Sequence, residues 1–132
     1  MDYRRVLVDS SVIIEYIRKK RKDKTALLHI QKQGAEICIS TVTIFEVVSG
    51  INPQNKEIIG QLFDKFEAMP FDIPSAREAG TIYKQLKAKN KLIEFRDIFI
   101  AATAIANDLP LATLNIKHFE RIDDLELVSY RL

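Results

Sequence analysis

Three carboxylates in this sequence stand where side-chain chemistry would be done. Asp9 closes the apolar run Arg5-Val6-Leu7-Val8, Glu46 lies on the first turns of the helical segment after Ile37 to Ser40, and Asp97 opens the segment Ile98-Phe99-Ile100-Ala101-Ala102. Asn115 follows Leu111-Ala112-Thr113 in the same manner. Polar residues placed directly after apolar runs matter because the crevice of a parallel α/β sheet lies beyond the carboxyl ends of its strands. Each acid also has a plainer role open to it. Asp9-Ser10-Ser11 supplies three possible helix caps, and an acid at the Asp97 position is favoured by the helix dipole by about 0.3–1 kcal/mol. Glu46 is harder to explain so, since Val42-Thr43-Ile44-Phe45 and Val47-Val48 surround it, and a carboxylate among apolar neighbours is costly to desolvate unless paired or bound to a cation. Three acids at one end of a sheet would repel and raise one another's pKa without a cation between them. Such a hard oxygen set suits Mg2+ or Mn2+ and disfavours zinc. The two histidines agree with this: His29 sits in Leu27-Leu28-His29-Ile30 as a structural residue, and His118 alone cannot complete a zinc site. No serine has a histidine and an acid evidently arranged around it for nucleophilic catalysis.

Elements able to bring these residues together are legible in the pattern. Short apolar runs at Val6 to Val8, Ile37 to Ile39 and Leu111 to Ala112, with another near Met69 to Ile73, alternate with longer helical segments. Leu125 to Val128 adds a possible edge strand. The helical segments are Ser11 to Lys20, Lys24 to Gln33 ended by Gly34, Val42 to Gly50, Lys56 to Ala68, Ser75 to Lys89 and Arg96 to Asn107. Ser75, with Glu78 three residues on, fits a capping box. The expectation is an α/β fold in which helices cover both faces of a central parallel sheet of four to five strands.

With 132 residues, 47% of them hydrophobic, residues 1–132 are read as a single domain with one buried core. Twenty Lys and Arg nearly balance eighteen Asp and Glu, so the net charge of +2 does not mark a strongly basic nucleic-acid binder. Cys38, the only cysteine, reads as a buried thiol. The first residues lack the features of a signal peptide, and no apolar run reaches membrane-spanning length, so the expectation is a soluble, cytoplasmic protein with no membrane partner.

Four segments taken in order are familiar: Val6-Leu7-Val8-Asp9-Ser10-Ser11-Val12-Ile13-Ile14, Ser40-Thr41-Val42-Thr43-Ile44-Phe45-Glu46-Val47, Arg96-Asp97-Ile98-Phe99-Ile100-Ala101-Ala102-Thr103-Ala104, and Ala112-Thr113-Leu114-Asn115-Ile116-Lys117-His118-Phe119. Together they resemble the PIN domain, specifically VapC-type toxin ribonucleases, over essentially the whole chain. The resemblance implies a three-layer α/β/α PIN-like fold and an endoribonuclease that cleaves single-stranded or loop RNA using Mg2+ or Mn2+. It also implies a homodimer, a cognate antitoxin protein that holds it inactive, and transfer RNA or another structured RNA as substrate. Asp9, Glu46 and Asp97 match the acids of the family's metal site. Ser11 and Thr113 match hydroxyl positions that orient the carboxylates or the attacking water. Asn115 stands where the family often has a fourth acid, which leaves one metal or two open, because Asn is a weaker oxygen ligand.

On this reading a metal held by Asp9 and Asp97, with Glu46 helping directly or through water, activates water against an RNA phosphorus and leaves a 3′-hydroxyl and a 5′-phosphate. Arg18-Lys19-Lys20-Arg21-Lys22-Asp23-Lys24 and the group Lys84, Lys87, Lys89 and Lys91 are either phosphate contacts or solvated surface. Ile13, Ile14, Ile17, Leu62, Phe63 and Phe66 are core positions or, by the family resemblance, an antitoxin groove. Glu120 and Asp123 are substitute ligands or solvent-facing turn residues. An aspartyl phosphatase would need a second Asp where Ser11 stands, and a receiver domain would need an early acidic pair that is absent. The remaining alternative is a catalytically weak PIN-like module that binds RNA or a protein without cutting.

Overall fold

The computed structural model describes residues 4–128. Five parallel strands, β1 (Arg5–Val8), β2 (Glu36–Ser40), β3 (Glu67–Met69), β4 (Leu111–Ala112) and β5 (Leu127–Val128), form one sheet in the order β3-β2-β1-β4-β5. The helices are α1 (Ser10–Arg18), α2 (Ala26–Lys32), α3 (Thr41–Gly50), α4 (Lys56–Lys65), α5 (Ile73–Ala88), α6 (Phe95–Ala106) and the single turn α7 (Ile116–Phe119).

Strand side chains alternate between two cores. Val6, Val8, Ile37, Ile39 and Ala112 join Val12, Ile13, Leu27, Val47 and Leu62 on one face, while Leu7, Cys38 and Leu111 join Ile82, Leu86, Ile98 and Phe119 on the other. A period of two with both faces covered is why these strands read as unbroken apolar runs. Ile13, Leu62 and Phe66 are therefore core, whereas Ile14, Ile17 and Phe63 are half-buried. The expected three-layer α/β/α architecture with its parallel sheet is what the chain adopts. Among the described residues no helix is long and apolar enough to cross a membrane.

Local differences from the sequence reading have local causes. The strand expected near Met69 to Ile73 is instead Glu67–Met69, because Pro70 has no N–H for the ladder and the chain then turns into α5. Accordingly α4 stops at Lys65 rather than at Ala68. Ser75 is not the start of its helix. Asp72 is the cap, accepting from the Ser75 amide at 3.1 Å and the Ser75 hydroxyl at 2.8 Å, and Pro74 fits the first turn, whose N–H groups have no intrahelical partner. Gly34, at φ 85°, closes α2 as expected.

The chain runs outward from β1 to β2 and β3, then returns to lay β4 against the other side of β1. The direction of winding thus reverses between β1 and β4, and a crevice opens beyond their carboxyl ends.

Candidate active site

Asp9 and Thr113 are the first residues after β1 and β4, so the sheet itself delivers both to that crevice. Asp9 is 3% exposed and caps α1, and both of its oxygens accept hydrogen bonds. Oδ1 accepts from the Ser11 hydroxyl at 2.5 Å and from the Ser11 and Val12 amides at 3.1 and 3.4 Å. Oδ2 accepts from the Thr113 hydroxyl at 2.6 Å. The two hydroxyls are tied down in turn, since Ser11 Oγ accepts from the Leu114 amide at 3.0 Å and Thr113 Oγ1 from the Asn115 amide at 2.9 Å. Ser11 and Thr113 therefore hold the carboxylate. Burial pushes the Asp9 carboxyl above its ordinary pKa, against the pull of these donors, and the charge of Asp97 adds to the rise.

Glu46 arrives from α3, which Ser40 starts by accepting from the Thr43 amide at 3.0 Å. Its Oε2 lies 3.6 Å from Arg96 Nη1, and its Oε1 is buried with no hydrogen-bond partner. An orphaned carboxylate oxygen is expensive inside a protein and marks a place where a donor or cation belongs. Desolvation raises the Glu46 pKa, Arg96 opposes the rise, and the charges of Asp97 and Asp9 reinforce it. Asp97, on the first turn of α6, pairs through Oδ2 with His118 Nδ1 at 3.3 Å, and its carboxyl is also raised, by burial first. The structure thus brings Asp9, Glu46 and Asp97 close enough for each to feel another's charge. They do not form a ready-made cage: among the described residues no three His, Cys, Asp or Glu side chains are grouped to hold one ion.

Asn115 is the least engaged of the expected residues. It precedes α7 without capping it through its side chain and is exposed, while its backbone amide props Thr113. Glu120 and Asp123 are exposed, and Asp123 pairs with Lys89 at 3.1 Å, so both belong to the solvent-facing turn.

Arg96 and His118 are partners that the sequence reading did not find. One signal for Arg96 is its place beside Asp97, a cation next to a candidate site acid. The pairing of His118 with Asp97 has no local sequence signal, since it depends on α7 turning the ring back toward α6. The basic run after α1 is in part structural: Lys22 donates to the Tyr16 and Ile17 carbonyls at the end of that helix, and Arg21 pairs with Asp23. Cys38 is buried and its thiol is pushed up by desolvation, which removes it from any reactive role.

Comparison with known proteins follows the same lines. Residues 6–125 match the PIN domain. The chain is 36% identical over 127 residues to Ribonuclease VapC1 of Methanocaldococcus jannaschii, covering 96% of this chain and 87% of that protein. It is 32% identical to Ribonuclease VapC10 of Mycobacterium tuberculosis, covering 92% and 90%. The crystal structure of VapBC2 from Rickettsia felis, bound to a DNA fragment from its promoter, superimposes with a TM-score of 0.84 at 25% identity, covering 96% of this chain and 99% of that one. Sheet order, the acids at the β1–β4 crevice and these likenesses agree, and this chain belongs to the PIN-domain family, among its VapC-type members.

Proposed function

We propose that this chain is a divalent-metal-dependent endoribonuclease, the toxin of a toxin–antitoxin pair, that hydrolyses RNA phosphodiester bonds at the crevice between β1 and β4. The observation that carries the chemistry is Glu46 Oε1, a buried carboxylate oxygen without a partner, beside two further acids whose pKa values burial has raised. The donors are all hard oxygens, so Asp9, Asp97 and Glu46 would hold Mg2+ or Mn2+ in preference to zinc. A divalent cation there would lower the pKa of water and offset negative charge on the phosphate as the transition state forms.

The chain's own residues do the positioning. Ser11 and Thr113 fix both oxygens of Asp9, as outer-shell donors do for metal-binding carboxylates. Arg96 holds one oxygen of Glu46 and leaves the other directed into the buried space. His118 restrains Asp97 in the same way. Arg96 and His118 are both about half exposed, so Arg96 also offers a cation, and His118 a ring N–H donor, to an RNA phosphate beside the acids. Asn115, exposed next to Thr113, is assigned a minor role at the edge of the site.

The names of the relatives support RNA as the substrate class, and the likeness to VapBC2 supports an antitoxin partner. The homodimer, transfer RNA or another structured RNA as target, the cytoplasm as compartment, and residues 1–132 as one working unit belong to the same reading by family resemblance. One observation favours the non-cutting alternative: Glu46 and Asp97 are already paired with Arg96 and His118. Analysis of product ends tests the hydrolytic assignment. It predicts a 5′-phosphate and a 3′-hydroxyl, and a 2′,3′-cyclic phosphate would contradict it.

A further inference from the structure

Next to Asp97 the surface opens into a cleft of about 580 Å³ whose walls are chemically unlike one another. Leu92 and Phe95, 44% and 58% exposed, line it together with Lys117 and Arg121. Phe95 is not a loose surface ring. Tyr83 meets it edge-on with ring centroids 5.9 Å apart, and Phe99 stacks beside it at 6.4 Å with 30° between the planes. Both backing rings are half-buried, so they brace Phe95 while leaving much of it open. Arg121 is also held, its Nη1 donating to the Lys91 carbonyl at 3.4 Å, while Lys117 is exposed. Glu94 adds one exposed carboxylate, and the His118–Asp97 pair joins the cleft to the acidic site.

We infer that this cleft is a nucleotide subsite for single-stranded RNA: Phe95 stacks an unpaired base flanking the scissile phosphate, and Lys117 and Arg121 hold the adjoining phosphates. The inference rests on the ribonuclease reading above and adds the residues that hold an unpaired base and its phosphates. A braced aromatic ring beside exposed cations is what sequence-tolerant single-strand binding uses, because every base has a π-face. A paired A-form helix cannot offer such a ring an unstacked base. The cleft shares Asp97 with the acidic site, so a strand bound in it lies beside the acids.

The test uses a short single-stranded RNA carrying 2-aminopurine, bound to the purified protein in EDTA so that binding is read without cutting. Stacking on Phe95 predicts quenching on binding, loss of the quench in Phe95→Ala with affinity weakened at least about fivefold, and both effects restored in Phe95→Tyr. Lys117→Gln and Arg121→Gln are expected to flatten the salt dependence, each by about 0.7 in the slope of log affinity against log salt. The same sequence as a duplex is expected to bind without quenching. Unchanged quench and affinity in a folded Phe95→Ala would overturn the subsite. So would an effect of that substitution confined to the oligomeric state in sedimentation, which would make Phe95 a protein contact. RNA bound with the expected quench but never cut with Mn2+ would overturn the nuclease reading and leave the subsite standing. Cutting with KM unchanged in Phe95→Ala would do the reverse.

Discussion

Two aspartates in this molecule begin helices in nearly the same way and end up with opposite properties. Asp72 caps α5 by accepting from the Ser75 amide and hydroxyl, and Asp9 caps α1 by accepting from the Ser11 amide and hydroxyl. Asp72 is exposed, and those donors hold its carboxyl below the usual range. Asp9 is buried, and desolvation raises its carboxyl despite an additional donor from Thr113. Capping is therefore common to both and distinguishes neither. What separates them is the topology of the sheet, which puts Asp9 at the reversal point between β1 and β4 with Glu46 and Asp97 beside it, whereas Asp72 stands in the turn after the edge strand β3. A residue can be a helix cap and a site residue at once, and only its neighbours decide whether it is more than a cap.

The largest expected effect follows from that difference. Asp9→Asn keeps an oxygen for the Ser11 and Val12 donors and leaves the helix capped, so the fold is expected to survive while RNA cleavage falls about a hundredfold or more. Circular dichroism beside a cleavage assay reads both. A variant that neither unfolds nor loses activity would reduce Asp9 to the status of Asp72. Next in size is Thr113→Val, which removes the donor to Asp9 Oδ2. Outer-shell losses of this kind cost about 10- to 100-fold, to be read as weakened Mn2+ affinity in calorimetry as well as slower cleavage.

Stability should move in the opposite direction from activity at the buried acids. The folded chain holds the Asp9 and Glu46 protons more tightly than the unfolded chain does, because both carboxyl pKa values are raised. The stability linked to those protons is complete below the ordinary carboxylate pKa and is lost as pH rises through the raised values. Without metal, Glu46→Gln is therefore expected to raise Tm at neutral pH, with the gain shrinking as pH falls below the ordinary carboxylate range. A gain that persisted unchanged at acid pH would point to packing instead of charge. The smallest effect is expected at the other cap: Asp72→Ala should lower Tm modestly and leave cleavage intact, because Asp72 serves only α5.

The acids were legible in the sequence for physical reasons that apply to each separately. Asp9 followed an apolar run that had to be a central strand, and Glu46 interrupted an apolar helix in which an unpaired charge would be costly. Arg96 and His118 were not, because their pairs join α3 to α6 and α6 to α7, and no local pattern encodes which helices meet. The same limit explains the elements misplaced from sequence. β3 is an edge strand with Glu67 and Ala68 exposed, so it carries little of the apolar signal that revealed β1 and β2. The start of α5 was assigned to Ser75 because its spacing to Glu78 fits a capping box, yet Asp72, three residues earlier, offers the stronger acceptor.

The most direct test of the account is incubation of total RNA with the purified chain, freed of any copurifying partner, in Mn2+ or Mg2+ against EDTA, with Asp9→Asn in parallel. Discrete cuts that need the metal and vanish in the variant are expected. A folded, metal-loaded protein that cuts nothing, or cuts equally well in EDTA or with Asp9→Asn, would contradict it.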